Sequence, residues 1–337
     1  SELKVLYFSR GYTPHDDRFL RALEKTEHDV HFLRLERIPS IEPPPGIHEV
    51  RLLNMAPPKL NKAQAQVENF KYLVEVLKPD VVHAGPLHGP AYIAARAACS
   101  PLVAMSWGSD LLYDAAHSAE AWMKCKYRLS RSTVLVGDCQ AVADKAVGMG
   151  FTREQIFLFP WGVDLQHFHP VGDAPLREKL GWQDNFVFLS NRTFEKLYGV
   201  DVVLRAFIEA EKQHPEIRLL IFGKGTQESR LKEMVTEAGI TENVHFGTYA
   251  AREDLPGIYR SADIYFSASH SDGSSVSLME ALACGRPALV SDIAGNREWV
   301  NENVNGWTFK DNDSQDLAQK MSAAVESNEL SEIGQAT

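Results

Sequence analysis

The sequence predicts an α/β fold built from two Rossmann-like halves, and three observations carry that expectation. Short apolar runs alternate with amphipathic segments almost from end to end, the pattern of strands and helices around parallel sheets. The pattern restarts at Phe186, after a stretch punctuated by Pro and Gly. The 337 residues also exceed what one hydrophobic core supports, since single cores stop growing at roughly 250–300 residues.

Taken in order, the strand candidates of the first half are 4–9, 29–35, 80–84, 102–106, 133–136 and 156–159. Amphipathic segments at 16–25, 62–77, 91–99, 120–130 and 140–149 are the helices between them. The second series places strands at 186–190, 218–222, 243–246, 264–267, 288–290 and 307–309, with helices at 200–211, 228–238 and from Ser275 onward. The segment from Trp161-Gly162-Val163-Asp164 to His169-Pro170-Val171-Gly172-Asp173 has the character of an interdomain crossing. It sets domains at 1–170 and 171–337, and the crossing near 170 is the hinge candidate. Pro43-Pro44-Pro45-Gly46 reads as a stiff surface loop.

Composition removes several classes. Hydrophobic residues at 44% and charged residues at 24% suit a protein with a sizeable core and exclude a disordered chain. With 35 Lys and Arg against 45 Asp and Glu the net charge is −10, which opposes a diffuse grip on nucleic acid or on an anionic membrane. Cys99, Cys125, Cys139 and Cys284 stand far apart with no C-x-x-C pair, so neither a disulfide framework nor a zinc knuckle is expected. No apolar stretch of about 18 residues appears. The N-terminus enters its first strand without a signal-like segment. The expected location is cytoplasmic, with peripheral contact at the cytoplasmic face of a membrane left open. The run Ser331 to Thr337 ends without a stop signal, and a further C-terminal segment is expected beyond it.

In open parallel sheets ligands bind at the carboxyl ends of strands, where helix N-termini point N–H groups outward. Three such positions in the second half are chemically loaded. After 186–190, Arg192 and Lys196 stand four apart ahead of a helix, a fork and a point charge suited to a diphosphate or two solvated surface cations. After 218–222, Gly223-Lys224-Gly225 either lets backbone approach a ligand or makes a tight turn. After 264–267, Asp272-Gly273-Ser274-Ser275 leads into a helix carrying Glu280 and closed by Gly285 and Pro287. Ser277-Leu278-Met279-Glu280 also fits a capping box, which explains Glu280 but not the preceding loop.

At these residues the chain resembles the retaining glycosyltransferases of family 4. Asp272 and Glu280 match that family's two acids eight positions apart, and the match extends through Glu280 to Pro287, Gly295-Asn296-Arg297-Glu298, Asn305-Gly306 and Trp161-Gly162-Val163-Asp164. The resemblance covers the second half closely and the first half loosely, and it implies the GT-B fold of two facing Rossmann-like domains with a cleft between them. It implies that Glu280 binds ribose hydroxyls of a UDP-sugar, that Asp272, Gly273 and Ser274 hold the sugar, and that Ser275, Val276 and Ser277 face the phosphates. Arg192 and Lys196 would neutralise the leaving diphosphate, with Gly223, Lys224, Thr248 and Tyr249 bordering base and phosphates.

Some positions depart from the family pattern. The first acid is Asp rather than Glu, Ser274-Ser275 replaces an aromatic and a glycine, and the cation pair is more tightly spaced. Trp107-Gly108-Ser109-Asp110 resembles the family's His-Gly-Ser-Asp segment with Trp for His, and Asp110 is carried over as a catalytic residue. The loop Gly11 to Arg18 stands where the family has paired glycines near phosphates and acceptor, here reduced to Gly11. His15, Asp16 and Asp17 could be read as a metal site, but adjacent acids at a helix start are ordinarily dipole partners and the family does not generally need a metal, so none is expected. His83 and His88 flank a strand end and are read as satisfied or solvent-facing, with acceptor contact the lesser alternative.

The implied activity is transfer of a hexose, glucose or a related sugar, from a UDP-sugar to a saccharide or lipid-linked saccharide. No cofactor beyond the donor and no nucleic acid is expected. The alternatives are a sugar-nucleotide epimerase on the same fold and a non-catalytic nucleotide-sugar-binding protein.

Overall fold

Among the described residues, 2–36 and 42–327 of a computed structural model, every pairing between named strands is parallel. The expected C-terminal run 331–337 lies outside the described residues. The chain divides into two units between Trp161 and Gly162. The expected crossing near 170 falls within the second unit, where Phe168 is buried in that unit's core.

Among the described residues, seven strands make the first sheet: β1 (Lys4–Ser9), β2 (Asp29–Arg34), β3 (His48–Val50), β4 (Val81–Ala84), β5 (Leu102–Met105), β6 (Val134–Gly137) and β7 (Ile156–Leu158), in the order β3-β2-β1-β4-β5-β6-β7. Alternation along β1 sends Leu6 and Phe8 to one face and Val5 and Tyr7 to the other, and both faces are covered, as parallel sheets require. Phe8 stacks on Phe70 of the helix Lys62–Leu77 with centroids 4.7 Å apart, while Tyr7 packs with Phe32 and Leu20. The helix Pro14–Glu24 starts two residues ahead of expectation because Thr13 and Asp16 close a capping box over Pro14.

The described residues of the second unit form six strands: β8 (Phe186–Asn191), β9 (Ile217–Phe222), β10 (Val244–Gly247), β11 (Ile264–Ser267), β12 (Ala288–Ser291) and β13 (Gly306–Phe309), in the order β10-β9-β8-β11-β12-β13. Phe188, Leu219 and Ile221 pack under the helix Val200–Glu211, and Val187, Leu189 and Leu220 pack against Tyr259, Leu278 and Leu282 on the other face. In each sheet the strand order reverses once beside its first strand, between β1 and β4 and between β8 and β11. Such reversals open a crevice at the strands' carboxyl ends, where the loops on either side diverge to opposite faces.

Candidate active site at the second switch point

β8 and β11 are hydrogen-bonded neighbours, so Arg192, which follows β8, meets the loop that follows β11. Its Nη2 donates to Asp272 Oδ2 at 2.6 Å, and its Nη1 donates to Ser275 Oγ at 2.7 Å and Ser277 Oγ at 3.1 Å. The Tyr198 ring lies 4.3 Å from the guanidinium carbon, and Tyr265 Oη and Ser277 Oγ share a hydrogen bond of 2.8 Å. Burial works against the guanidinium's charge, but Asp272 and the surrounding tyrosines outweigh it and hold Arg192 above its ordinary range.

The loop ends in the helix Val276–Ala283, whose cap residue Ser275 makes no side-chain capping bond because its hydroxyl faces Arg192. The first turn therefore keeps its N–H groups and positive partial charge without a side-chain cap, the arrangement that receives anions. The capping box Ser277 to Glu280 does not form, since the helix has already begun at Val276. Glu280 is 6% exposed, and its Oε2 accepts from Tyr259 Oη at 2.8 Å. Tyr259 in turn accepts from Asn191 Nδ2 at 3.1 Å, so the end of β8 steadies an acid that lies in a helix beyond β11.

Two glycines hold the loop in place from behind. A Cβ on Gly295 would fall 2.3 Å from the Asp272 carbonyl oxygen and 2.5 Å from that of Gly273. Gly199, at φ 58°, lets the start of the helix Val200–Glu211 approach Ala268, whose carbonyl oxygen would lie 2.1 Å from an added Cβ. Trp299 Nε1 donates to Ser274 Oγ at 3.0 Å, and buried Asn296 donates to the Ser291 carbonyl at 2.9 Å. The Gly295-Asn296 motif thus acts by shaping the Asp272 loop.

The Gly223-Lys224-Gly225 glycines answer a packing demand. Gly223 has φ 154° and a Cβ there would sit 2.2 Å from the Arg192 carbonyl oxygen, while one on Gly225 would sit 2.5 Å from that of Phe194. Phe194 N donates to the Lys224 carbonyl at 2.9 Å, so the glycine loop is the rest on which the Arg192 loop lies. Lys224 and Lys196 are exposed. Thr248 and Tyr249, also exposed, line a groove of about 650 Å³ with Phe222, His245, Lys179 and Arg260, all in this unit.

Asp110, in the first unit, is 1% exposed and engaged on both oxygens. It accepts from Ser106 Oγ at 2.5 Å, Leu87 N at 2.9 Å and Leu111 N at 2.9 Å, and so binds the turn after β5 to the turn after β4. Burial pushes its pKa up against those bonds. Gly11 lies in the turn after β1, where a Cβ would meet nothing closer than Glu36 O at 3.9 Å. Asp16 accepts from Thr13 and from Tyr7 Oη at 3.1 Å, and Asp17 accepts from Tyr12 Oη at 2.6 Å and Arg21 Nε at 2.8 Å, which engages both acids in the helix start. His88 bridges Asp114 at 2.8 Å and Arg128 at 3.0 Å.

Residues 173–334 match the family model of glycosyl transferases group 1, and residues 4–136 match that of glycosyl transferase 4-like. The chain belongs to this glycosyltransferase family, and its fold is GT-B. Mannosylfructose-phosphate synthase of Agrobacterium fabrum is 32% identical over 157 residues, 43% of this chain and 34% of that protein. A D-inositol 3-phosphate glycosyltransferase of Corynebacterium jeikeium is 29% identical over 209 residues, 58% of this chain and 50% of that protein. The matches thus span about a third to a half of these curated relatives. Among solved structures, HepE of Anabaena in complex with UDP-glucose superposes with a TM-score of 0.80 at 17% identity, covering 99% of this chain and 93% of that one. Sucrose-phosphate synthase of Thermosynechococcus elongatus gives a TM-score of 0.78 at 17% identity, covering 99% and 92%.

Tyr198, Tyr259, Tyr265, Asn191 and Trp299 complete the site and were not reached from the sequence. A signal existed for Tyr265, because a tyrosine inside a buried strand must find a partner for its hydroxyl. Nothing local marked Tyr259, which lies 21 positions before the acid it serves.

Proposed function

We propose that the protein is a retaining glycosyltransferase that moves a hexose, glucose or a close relative, from a UDP-sugar to a hydroxyl of a saccharide or lipid-linked saccharide. The observation that carries this reading is the Arg192–Asp272 pair set against a helix start whose cap hydroxyl is turned away to Arg192. HepE of Anabaena, which shares this fold, is known in complex with UDP and with UDP-glucose, and this supports the donor class.

In this reading Glu280, steadied by Tyr259, takes the ribose hydroxyls. The diphosphate lies on the first-turn N–H groups of Ser275, Val276 and Ser277, with Arg192 and Lys196 supplying positive charge. Gly223, Lys224 and the Thr248-Tyr249 turn border the base, and Asp272, Gly273 and Ser274 hold the sugar. Transfer breaks the bond from C1 to the β-phosphate oxygen and forms a bond from C1 to the acceptor oxygen on the same face. The acceptor's proton passes to the departing phosphate oxygen, and UDP leaves. The protein contributes position and a field that meets the charge developing on the diphosphate, so neither a carboxylate nucleophile nor a divalent ion has a required role. Asp110 is a positioning residue that shapes the turns of the first unit.

The free, buried cysteines suit a reducing compartment, and we place the activity in the cytoplasm, at its membrane face when the acceptor is lipid-linked. Among the described residues no helix is long and apolar enough to cross a membrane. Release of UDP from UDP-glucose, measured with and without saccharide acceptors, tests the reading: acceptor-dependent release supports it, whereas an isomerised nucleotide sugar or binding without release overturns it.

A further inference from the structure

Lys196 opens the short turn Lys196–Tyr198, and that turn is tied to its surroundings on both sides. On one side the Glu195 carboxylate accepts from Thr226 N at 2.8 Å and from Thr226 Oγ1 at 2.5 Å, which joins it to the loop after β9. On the other side Leu197 O accepts from His270 N at 2.9 Å, which joins it to the loop after β11. Lys196 stands between the two ties. Its place therefore depends on where His270 is held.

The base of the β11 loop is fixed from behind, since Ser269 O accepts from Ser291 Oγ at 2.5 Å and the hydroxyls of Ser267 and Ser269 share a hydrogen bond of 3.0 Å. His270 is the next residue, two positions before Asp272. Its Nδ1–H donates to Asp311 Oδ1 at 2.7 Å, in the connection between β13 and the helix Ser314–Glu326. β12 separates β11 from β13, so Asp311 braces the loop from two strands away. A ring nitrogen bonded to a carboxylate gives the imidazole a defined orientation. Holding the side chain holds the main-chain N–H of the same residue, and with it the register between the Lys196 turn and the Asp272 loop.

Charged groups that act by position are sensitive to such register, because a displacement of about 1 Å can cost about 100-fold in rate. We infer that His270, braced by Asp311, is a positioning residue that sets Lys196 against the diphosphate. It acts through the Leu197 carbonyl rather than by touching the donor. The consequence for ligand rests on the donor-site reading; the joint between His270, Asp311 and Leu197 does not.

The test titrates UDP and uridine into the full chain and its variants and follows hydrogen exchange without ligand. His270→Ala and Asp311→Ala are each expected to weaken UDP about fivefold or more while uridine, which lacks the diphosphate, stays within about twofold. A merely structural role would weaken both ligands alike. His270→Asn, whose amide N–H can still donate to Asp311, should stay within about threefold of wild type for UDP. In a Lys196→Ala background His270→Ala should cost no more than about twofold further, since its effect runs through Lys196. The residue-270 amide should exchange about 10-fold faster in Asp311→Ala than in wild type. Unchanged UDP affinity in His270→Ala, an equal loss for uridine, a full further loss in the Lys196→Ala background, or unchanged exchange overturns the inference. A wild type that binds no UDP overturns the donor-site reading, and exchange then still decides whether Asp311 holds the joint.

Discussion

Arg192 and Asp272 hold each other, Nη2 to Oδ2 at 2.6 Å, with side chains only 11% and 21% exposed. The cation proposed for the diphosphate and the acid proposed for the sugar are thus each other's counter-ion. Removing one partner of a largely buried pair leaves the other uncompensated, which is expensive. A nucleoside diphosphate sugar compensates both at once, a phosphate for Arg192 and a hydroxyl for Asp272.

That pairing separates UDP from UDP-glucose. Asp272→Asn keeps the shape but removes the charge, so the advantage of UDP-glucose over UDP should shrink by about 10-fold or more, the weight of a charge-assisted hydrogen bond. Affinity for UDP itself should hold or rise, because Arg192 loses its competitor. Titration of wild type and variant with both ligands checks this; an equal loss for both contradicts it.

Positive charge from the protein should also make a divalent ion dispensable. Activity is expected to survive EDTA, whereas Arg192→Ala or Lys196→Ala lowers turnover about 100-fold or more, as groups that meet transition-state charge do. Complete loss in EDTA, restored by manganese, refutes the proposal.

Gly295→Ala places a methyl 2.3 Å from the Asp272 carbonyl oxygen, which must move. The displaced loop should raise the KM for UDP-glucose at least severalfold while the circular dichroism spectrum and UDP affinity stay near wild type. An unchanged KM would show that the Asp272 loop does not depend on this contact.

The buried imidazoles give the first unit an acid sensitivity. His15 and His83 are held near about 4, against about 6.5 in an unfolded chain. Below pH 6.5 the unfolded chain takes up protons that the native state refuses, so their contribution to stability is full above 6.5 and falls as pH drops toward 4. The urea midpoint should decline between pH 7.5 and 5.0, and His83→Gln should decline less than wild type. Parallel declines contradict the assignment.

The sequence announced those parts of the fold whose signals are local. Lys4–Ser9, Lys62–Leu77 and Ile264–Ser267 have the bounds their apolar periodicity predicts, and Arg192, Asp272 and Glu280 stand where strand-end reasoning put them. Elements held by tertiary pairing were not legible. β3 is three residues long and, among the described residues, pairs with β2 alone, and the π-helical turn Asp110–Asp114 follows a glycine at φ 89°. The helix Ser314–Glu326 went unread although Asp313 caps it. Spacing alone leaves the glycines of 223–225 open between a ligand approach and a tight turn, and it does not disclose that they pack on the Arg192 loop across adjacent strands. The tyrosines serving Glu280 and Ser277, and the Trp107–His15–Trp161 cluster, join distant segments in the same way.

The central claim is that Glu280 and the helix start at Ser275 form a nucleoside diphosphate site, and UDP titrated into wild type, Glu280→Ala and Tyr259→Phe tests it most directly. The account predicts saturable binding to wild type and a loss of about 1.5–3 kcal/mol, roughly 10- to 150-fold, in Glu280→Ala. Tyr259→Phe should lose about 1 kcal/mol, roughly fivefold, because Glu280 keeps its charge but loses its anchor. Failure of wild type to bind UDP, or unchanged affinity in Glu280→Ala, would contradict it.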